Sequence, residues 1–320
     1  MGDGMSGPGW MPEVPPSLGR LLAWHPQPIP LEPAACLLAA LLYLLGVWRL
    51  HRRGDRWKPG RTVAFLGGIA TIVEVTATGI GGYGMQLMSI HMIQHMVLSM
   101  VSPVLLLLGA PITLALRTLP AAPHGRLGAR EVLVHVLHSR AAKVMTSPWF
   151  TLPLFVGSLY GLYFTSLFTT LMSTWWTHDV MLLHFLGVGL LFFYPILGID
   201  PGPRRANPVL GILELFGGMP FHAFFGIAVM MENSLTTTVF THHPSSWPGS
   251  ALSDERAAGA IAWAFSEIPS VLVLLVLFMQ WRRADTRAAK QQDRAADRNG
   301  DAELNAYNEY LAGLSAGRRP

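Results

Sequence analysis

MQLMSIHMIQHMVLSMVSPVLLLLG, residues 85–109, carries no Asp, Glu, Lys or Arg. A helix needs about 20 mostly apolar residues to cross the hydrocarbon core of a bilayer, and this run is long enough. Six further apolar runs accompany it, at 34–50, 62–82, 148–169, 178–198, 208–231 and 258–281. Pro103 and Pro111 lie in or just beyond the central run and predict a kink or tilt there. Composition points the same way. The 320 residues are 51% hydrophobic and 13% charged, against roughly 25% charged in an average soluble protein. The expected fold is an all-α integral membrane bundle of seven transmembrane helices. It divides into a Pro-rich lead over 1–33, a membrane domain over 34–281 and a charged tail over 282–320.

The positive charges give the orientation. Of the 23 Lys and Arg residues, all but Arg20 and Arg256 fall in alternate loops and in the tail. Arg49 to Arg61 follow the first run, Arg117 to Lys143 the third, Arg204 and Arg205 the fifth, and Arg282 to Arg319 the seventh. Cytoplasmic loops carry the excess of Lys and Arg, so the expected N-terminus is outside and the C-terminus cytoplasmic. The net charge of +4 is then a record of topology and not a nucleic-acid footprint. Residues 1–33 have eight prolines and no basic n-region, which reads as an extracytoplasmic lead and not a cleaved signal. Residues 128–146 read as a basic amphipathic helix on the membrane surface, with His135 and His138 as interfacial residues.

Ionisable groups within apolar spans are costly and are candidates for function. His91, His95, His184, His222, Glu74 and Glu267 fall in the runs, with His178 and Glu232 at outer boundaries. At 1.5 Å per residue these six lie roughly 9–16 Å below the outer ends of their helices. Similar depth predicts one polar site in the outer half of the bundle. His91 and His95 are four apart and share a helix face with Met88 and Met92 beside them. Met96 and Met100 continue the stripe, and Met219 shares a side with His222. Imidazole suits copper, zinc and iron, whereas thioether favours Cu(I), so the set reads as copper before zinc. Cys36, the one cysteine, is an accessory candidate in the first run, and no disulfide or CxxC motif is possible. Glu74, Glu267 and His178 are accessory or orienting candidates.

Blander readings stand beside these. A Met stripe at helical spacing is often packing, and an intramembrane His often bonds a carbonyl of a neighbouring helix. Glu267 precedes Pro269, where free carbonyls give it a structural role. His242 and His243, in the loop 233–257, are metal-capturing or simply solvated. A retinal protein would need a lysine in the seventh run, and AIAWAFSEIPSVLVLLVLFMQW has none. No Walker, Rossmann or GxSxG motif occurs. Haem between His95 and either His184 or His222 is the alternative cargo.

Beyond these readings, SIHMIQHMVLSMVSPVLLLLGAPITLALR (89–117) resembles the signature helix of the CtaG-type cytochrome c oxidase assembly factors, the seven-helix proteins linked to caa-type oxidases. The likeness continues through SPWFTLPLFVGSLYGLYFTSLF (147–168), HFLGVGLLFFYPILGIDP (184–201), MPFHAFFGIAVM (219–230) and AIAWAFSEIPS (260–270). The tail DRAADRNGDAELNAYNEYLAGL (293–314) is similar to those of actinobacterial-type members, some of which are fused to a CopD-like copper-resistance domain. The resemblance covers roughly residues 35–315. It places His91 and His95 in the HMxxH pair, His184 in HFLxxG, His222 in PFHAFFG and Glu267 in AFxEIP. Many members carry a further His two positions before the HFL histidine, where this chain has Leu182.

The resemblance implies a bacterial plasma-membrane protein, not an enzyme, that matures a haem–copper oxidase. The expected cargo is Cu(I), with His91, His95, His184, His222, Met88 and Met92 as ligands and Met219 as accessory. The expected partners are the oxidase catalytic subunit, other copper chaperones and the lipid bilayer. The alternatives are a haem-binding or electron-transfer protein and a metal-free chaperone of an oxidase subunit.

Overall fold

The computed structural model describes residues 7–123, 126–203, 207–242, 247–299 and 302–315. Among them there is no named strand, only an isolated bridge between Trp24 and Thr78. The helices in chain order are α1 (Leu31–Arg52), α2 (Pro59–Ala77), α3 (Met88–Met96), α4 (Ser102–Leu108), α5 (Pro111–Thr118), α6 (Ala129–Leu137), α7 (Arg140–Met145), α8 (Pro148–Tyr163), α9 (Trp175–Leu197), α10 (Pro208–Met231), α11 (Ala251–Phe265), α12 (Glu267–Asn299) and α13 (Ala302–Ser315). The chain separates by contact into two compact units, Met1–Leu274 and Leu275–Pro320.

Among the described residues, six helical segments are long and apolar enough to cross a membrane. The run at 148–169 is the exception. Helix α8 has 16 residues and ends at Tyr163, followed by a separate turn at Leu167–Leu171. Sixteen residues rise about 24 Å, short of a core about 30 Å thick. Thr165 Oγ1 donates to the Gly161 carbonyl, the local side-chain bonding that competes with helix continuation.

The segment 88–118 lies at the centre of the first unit. In its apolar window 61% of residues are buried within the chain, against 17% for α1. Its helix is interrupted twice. A π-helical turn over Val97–Val101 precedes Pro103, which has no N–H to continue the ladder. Ala110, with φ of 52°, breaks the chain before Pro111. At the π turn a neighbour comes unusually close. A Cβ added to Gly189 of α9 would sit 2.2 Å from the Ser99 carbonyl oxygen. Helices α10 and α11 cross in the same way at Gly226 and Gly259, the small-residue contact of membrane bundles.

Two carboxylates fix the start of this segment and its restart after Ala110. Asp254 of α11 accepts from the Met88 and Ser89 backbone N–H groups at 2.6 and 3.3 Å, and from the Ser89 hydroxyl. Asp200 accepts from Ile112 N, Thr113 N and Thr113 Oγ1. Both supply the acceptors that a helix start lacks internally.

The lead is folded from residue 7 on. Its backbone pairs with the end of α2 through His25 N to Ala77 O and Gly79 N to Ala23 O. Trp10 stacks on His25 at 3.6 Å, and the Tyr83 hydroxyl donates to Val14 O. At the other end of α1 the basic residues gather. Arg52 lies over Trp48, and both Arg61 and Arg117 lie over Trp57. Arg117 also pairs with Asp55 at 3.2 Å. The amphipathic stretch is two helices, α6 and α7, with His135 and His138 exposed. The Ala122 N–H, with that of Gly128, bonds the Glu131 carboxylate and holds it below its ordinary range. Arg204, Arg205, His243, Arg318 and Arg319 lie outside the described residues.

Two substitutions test how the central segment is held. Gly189→Ala places a methyl group against backbone and is expected to cost about 1–3 kcal/mol. Asp254→Ala removes a cap and is expected to cost about 1–2 kcal/mol, with Asp254→Asn intermediate because it keeps one acceptor. Thermal unfolding of the detergent-purified protein measures both. Unchanged melting temperatures would show that the close approach and the cap are slack.

Candidate metal site in the buried histidine cluster

His91 is the fourth residue of α3 and His178 the fourth residue of α9. Both are buried, at 0% and 1% exposure, and their ring centres are 5.8 Å apart at a tilt of 51°. Tyr163, Phe168 and Phe240 close around His91, with ring centres 5.4–6.0 Å away. Neither nitrogen of His91 nor of His178 has a hydrogen-bond partner among the described residues. The Gly84 backbone passes near the His91 ring without hydrogen-bond geometry.

His95 is one turn along α3, buried, with its ring stacked on Phe185 at 3.9 Å. Tyr163 Oη lies 3.4 Å from His95 Nδ1, a long contact. His222 is buried against Phe155, at 4.9 Å. Its Nε2 has no partner among the described residues. It lines a cavity of about 10 Å³ with Met100, Met219, Ser266 and Ser270. Met88, Met92, Met96, Met100 and Met181 are all buried.

The structure therefore brings together His91, His95 and His178, with His222 nearby on α10. His184 does not join them. Its side chain is exposed, and Nε2 is 3.0 Å from Ser158 Oγ. The reason is helical phase. Six residues separate His178 from His184, a turn of about 240°. The interior stripe of α9 is His178, Met181, Leu182, Phe185, Val188, Gly189 and Phe192. Helical phase against Phe185 and Phe192 was the signal in the sequence that favoured His178.

The expected acidic partners are also outside the cluster. Glu74 and Glu267 have exposed side chains on α2 and α12, and Glu232 is exposed. Cys36 is buried in a different place. It lines a groove of about 620 Å³ with Glu32 and Asp179, whose lining includes no histidine. The expectation that every ionisable group in the spans lies at one depth needs correction. Glu214, the seventh residue of α10, is buried near the other end of that helix and accepts from Thr151 Oγ1 at 2.5 Å. Asp179, beside His178, also lies within α9. Gln94, fully buried, ties α3 to α2 through Nε2 to Val75 O at 2.8 Å.

Among the described residues no three His, Cys, Asp or Glu side chains are grouped to hold a metal ion. The donors available at His91 are instead two imidazoles and neighbouring thioethers, which suit a soft ion of low coordination number. A porphyrin fits poorly. The cavity at His222 holds about one water, and Phe185 covers the face of His95.

The chain matches the model of a family described as cytochrome c oxidase caa3 assembly factor over residues 41–284. It is 44% identical over 309 residues to uncharacterized proteins of Mycobacterium bovis and Mycobacterium tuberculosis, covering 95% of this chain and 46% of theirs. A Mycobacterium leprae protein, also uncharacterized, is 44% identical over 289 residues, covering 89% of this chain and 44% of its own. The chain thus spans about half the length of the curated relatives it matches. No solved structure matches it. With the family model covering most of its apolar helices, the chain belongs to the cytochrome c oxidase caa3 assembly factors of bacterial membranes.

Proposed function

We propose that this assembly factor binds Cu(I) among the buried histidines and helps to form the copper centre of a haem–copper oxidase. The observation that carries the reading is the set of imidazole nitrogens at His91, His178 and His222 that sit in an apolar interior without partners. A buried polar group left unsatisfied costs about 1–3 kcal/mol. Several in one bundle are explained by an ion that they coordinate. Imidazole with the buried thioethers of Met88, Met92 and Met181 selects Cu(I) over harder ions. The tight packing at His95 and His222 favours copper over haem.

The remaining reading concerns topology and partners. Helix α8, although short, completes a seven-span bundle with the basic loops on the cytoplasmic side. The histidine cluster, beside the first turns of α3 and α9, then lies toward the outer side, beneath its aromatic cover. Copper is cargo here, and no substrate is turned over. The partner is an oxidase catalytic subunit, with other copper chaperones as donors, and the tail 282–320 lies in the cytoplasm.

Metal analysis with an absorption spectrum on the detergent-purified, reduced protein tests the reading. Copper without a Soret band is expected. Cells lacking the protein are expected to accumulate oxidase without its copper. A Soret band with no copper would overturn the reading in favour of haem.

A further inference from the structure

We propose that the Cu(I) ion is held between His91 and His178, with the thioethers of Met88 and Met181 as flanking ligands. The proposal rests on the copper reading and states where the ion sits. Spacing along the chain points to His91 with His95. Those two are four apart on one helix and share a face, but in the fold they have different neighbours.

The His91–His178 pair is the geometrically matched one. The two helices run the same way, because His91 meets His178 and, further along, Ser99 meets Gly189. Each histidine is the fourth residue of its helix, so the rings stand at one height. An ion about 2 Å from one nitrogen of each ring sets the ring centres about 6 Å apart, and they are 5.8 Å apart. No side-chain rearrangement on the scale of a helical turn is needed.

The thioethers follow from the same phase. Met88 is one turn before His91, and Met181 is one turn after His178, each on the face of its histidine. Both are buried, at 1% and 0%. With the helices parallel, one sulfur falls on the outer side of the imidazole pair and the other on the inner side. This ordering gives the ion a soft donor on each side of the pair.

His95 has another role. Its ring is stacked on Phe185 and its Nδ1 faces the Tyr163 hydroxyl. Tyr163 also packs edge-on to His91, at 6.0 Å. His95 and Tyr163 therefore position the wall of the site. His184, hydrogen-bonded to Ser158 on the exposed side of α9, is outside it.

The test is Cu(I) titration of the full chain in detergent against a coloured Cu(I) chelator. His91→Ala and His178→Ala are each expected to weaken binding by at least about tenfold. Met88→Leu with Met181→Leu is expected to weaken binding and to remove sulfur scattering from the X-ray absorption spectrum of the bound ion. His184→Ala is expected to bind as the unmodified protein does. His178→Phe controls for folding. It replaces an unpartnered polar ring by an apolar one, so the metal-free melting temperature is expected to hold while the rise on adding Cu(I) disappears. Tight binding retained in both His178 variants, but lost in His95→Ala, would overturn this site and leave the copper reading standing. Failure of the unmodified protein to bind Cu(I) would overturn both.

Discussion

Inside a bilayer every backbone N–H and C=O must find its partner within the protein, and segment 88–118 is built around that constraint. It begins at an N-terminus bonded by Asp254, passes through a π turn, breaks at Ala110 and restarts on Asp200. Each departure from the α-helix frees backbone groups that lipid could not satisfy. The segment tolerates them because it is the one enclosed by the others. Helix α9 presents Gly189 to the Ser99 carbonyl, α11 supplies Asp254, and the turn after α9 supplies Asp200. The segment with the most irregular backbone is therefore also the most buried of the membrane-length segments among the described residues. Such a helix can carry histidines and a methionine stripe at its centre.

Much of this was legible in the chain. Hydropathy located six of the seven expected spans among the described residues, and the chemistry of His and Met on 85–109 pointed to buried residues of the central helix. Pro103 and Pro111 marked where the central helix breaks. What hydropathy does not carry is phase. A window of apolar residues says that a helix spans but not which side faces inward. His184 and His178 lie on one helix, and only the interior stripe with Phe185 and Phe192 separates them. Glu74 and Glu267 lay at a suitable depth yet are exposed, whereas Glu214 holds a buried bond between helices and Asp254 a half-buried one. The shortness of α8 depends on side-chain bonding at Thr165, which an average over hydropathy does not register.

The end of the bundle that carries the N-terminal lead is also more ordered than its composition suggests. Eight prolines in 1–33 read as an extended lead, but from residue 7 the chain returns to α2 and forms backbone hydrogen bonds to it. Glu13 O accepts from Trp247 Nε1, and Trp247 packs against Tyr83. Phe240, from the segment before α11, and Phe168, from the turn after α8, both face His91. Phe168 and Phe240 thus close over His91 from short segments between the long helices.

An apolar enclosure also bears on hand-over. In the proposed site a Cu(I) ion with two imidazoles would keep a single positive charge, and among the described residues no carboxylate or cysteine is grouped with the pair to neutralise it. Burying a charge without a counter-charge is unfavourable. The donors themselves must offset that cost, so the complex is stable enough to exclude water but not so stable as a thiolate site. A partner that offers imidazoles of its own in a more polar setting would draw the ion onward. Thioethers on both sides of the imidazole pair let one bond form before another breaks. Cys36 could have supplied a stronger donor, but it sits in the separate groove with Glu32 and Asp179. Under the proposed Cu(I) site, the absence of this cysteine from the cluster favours release of the ion over retention.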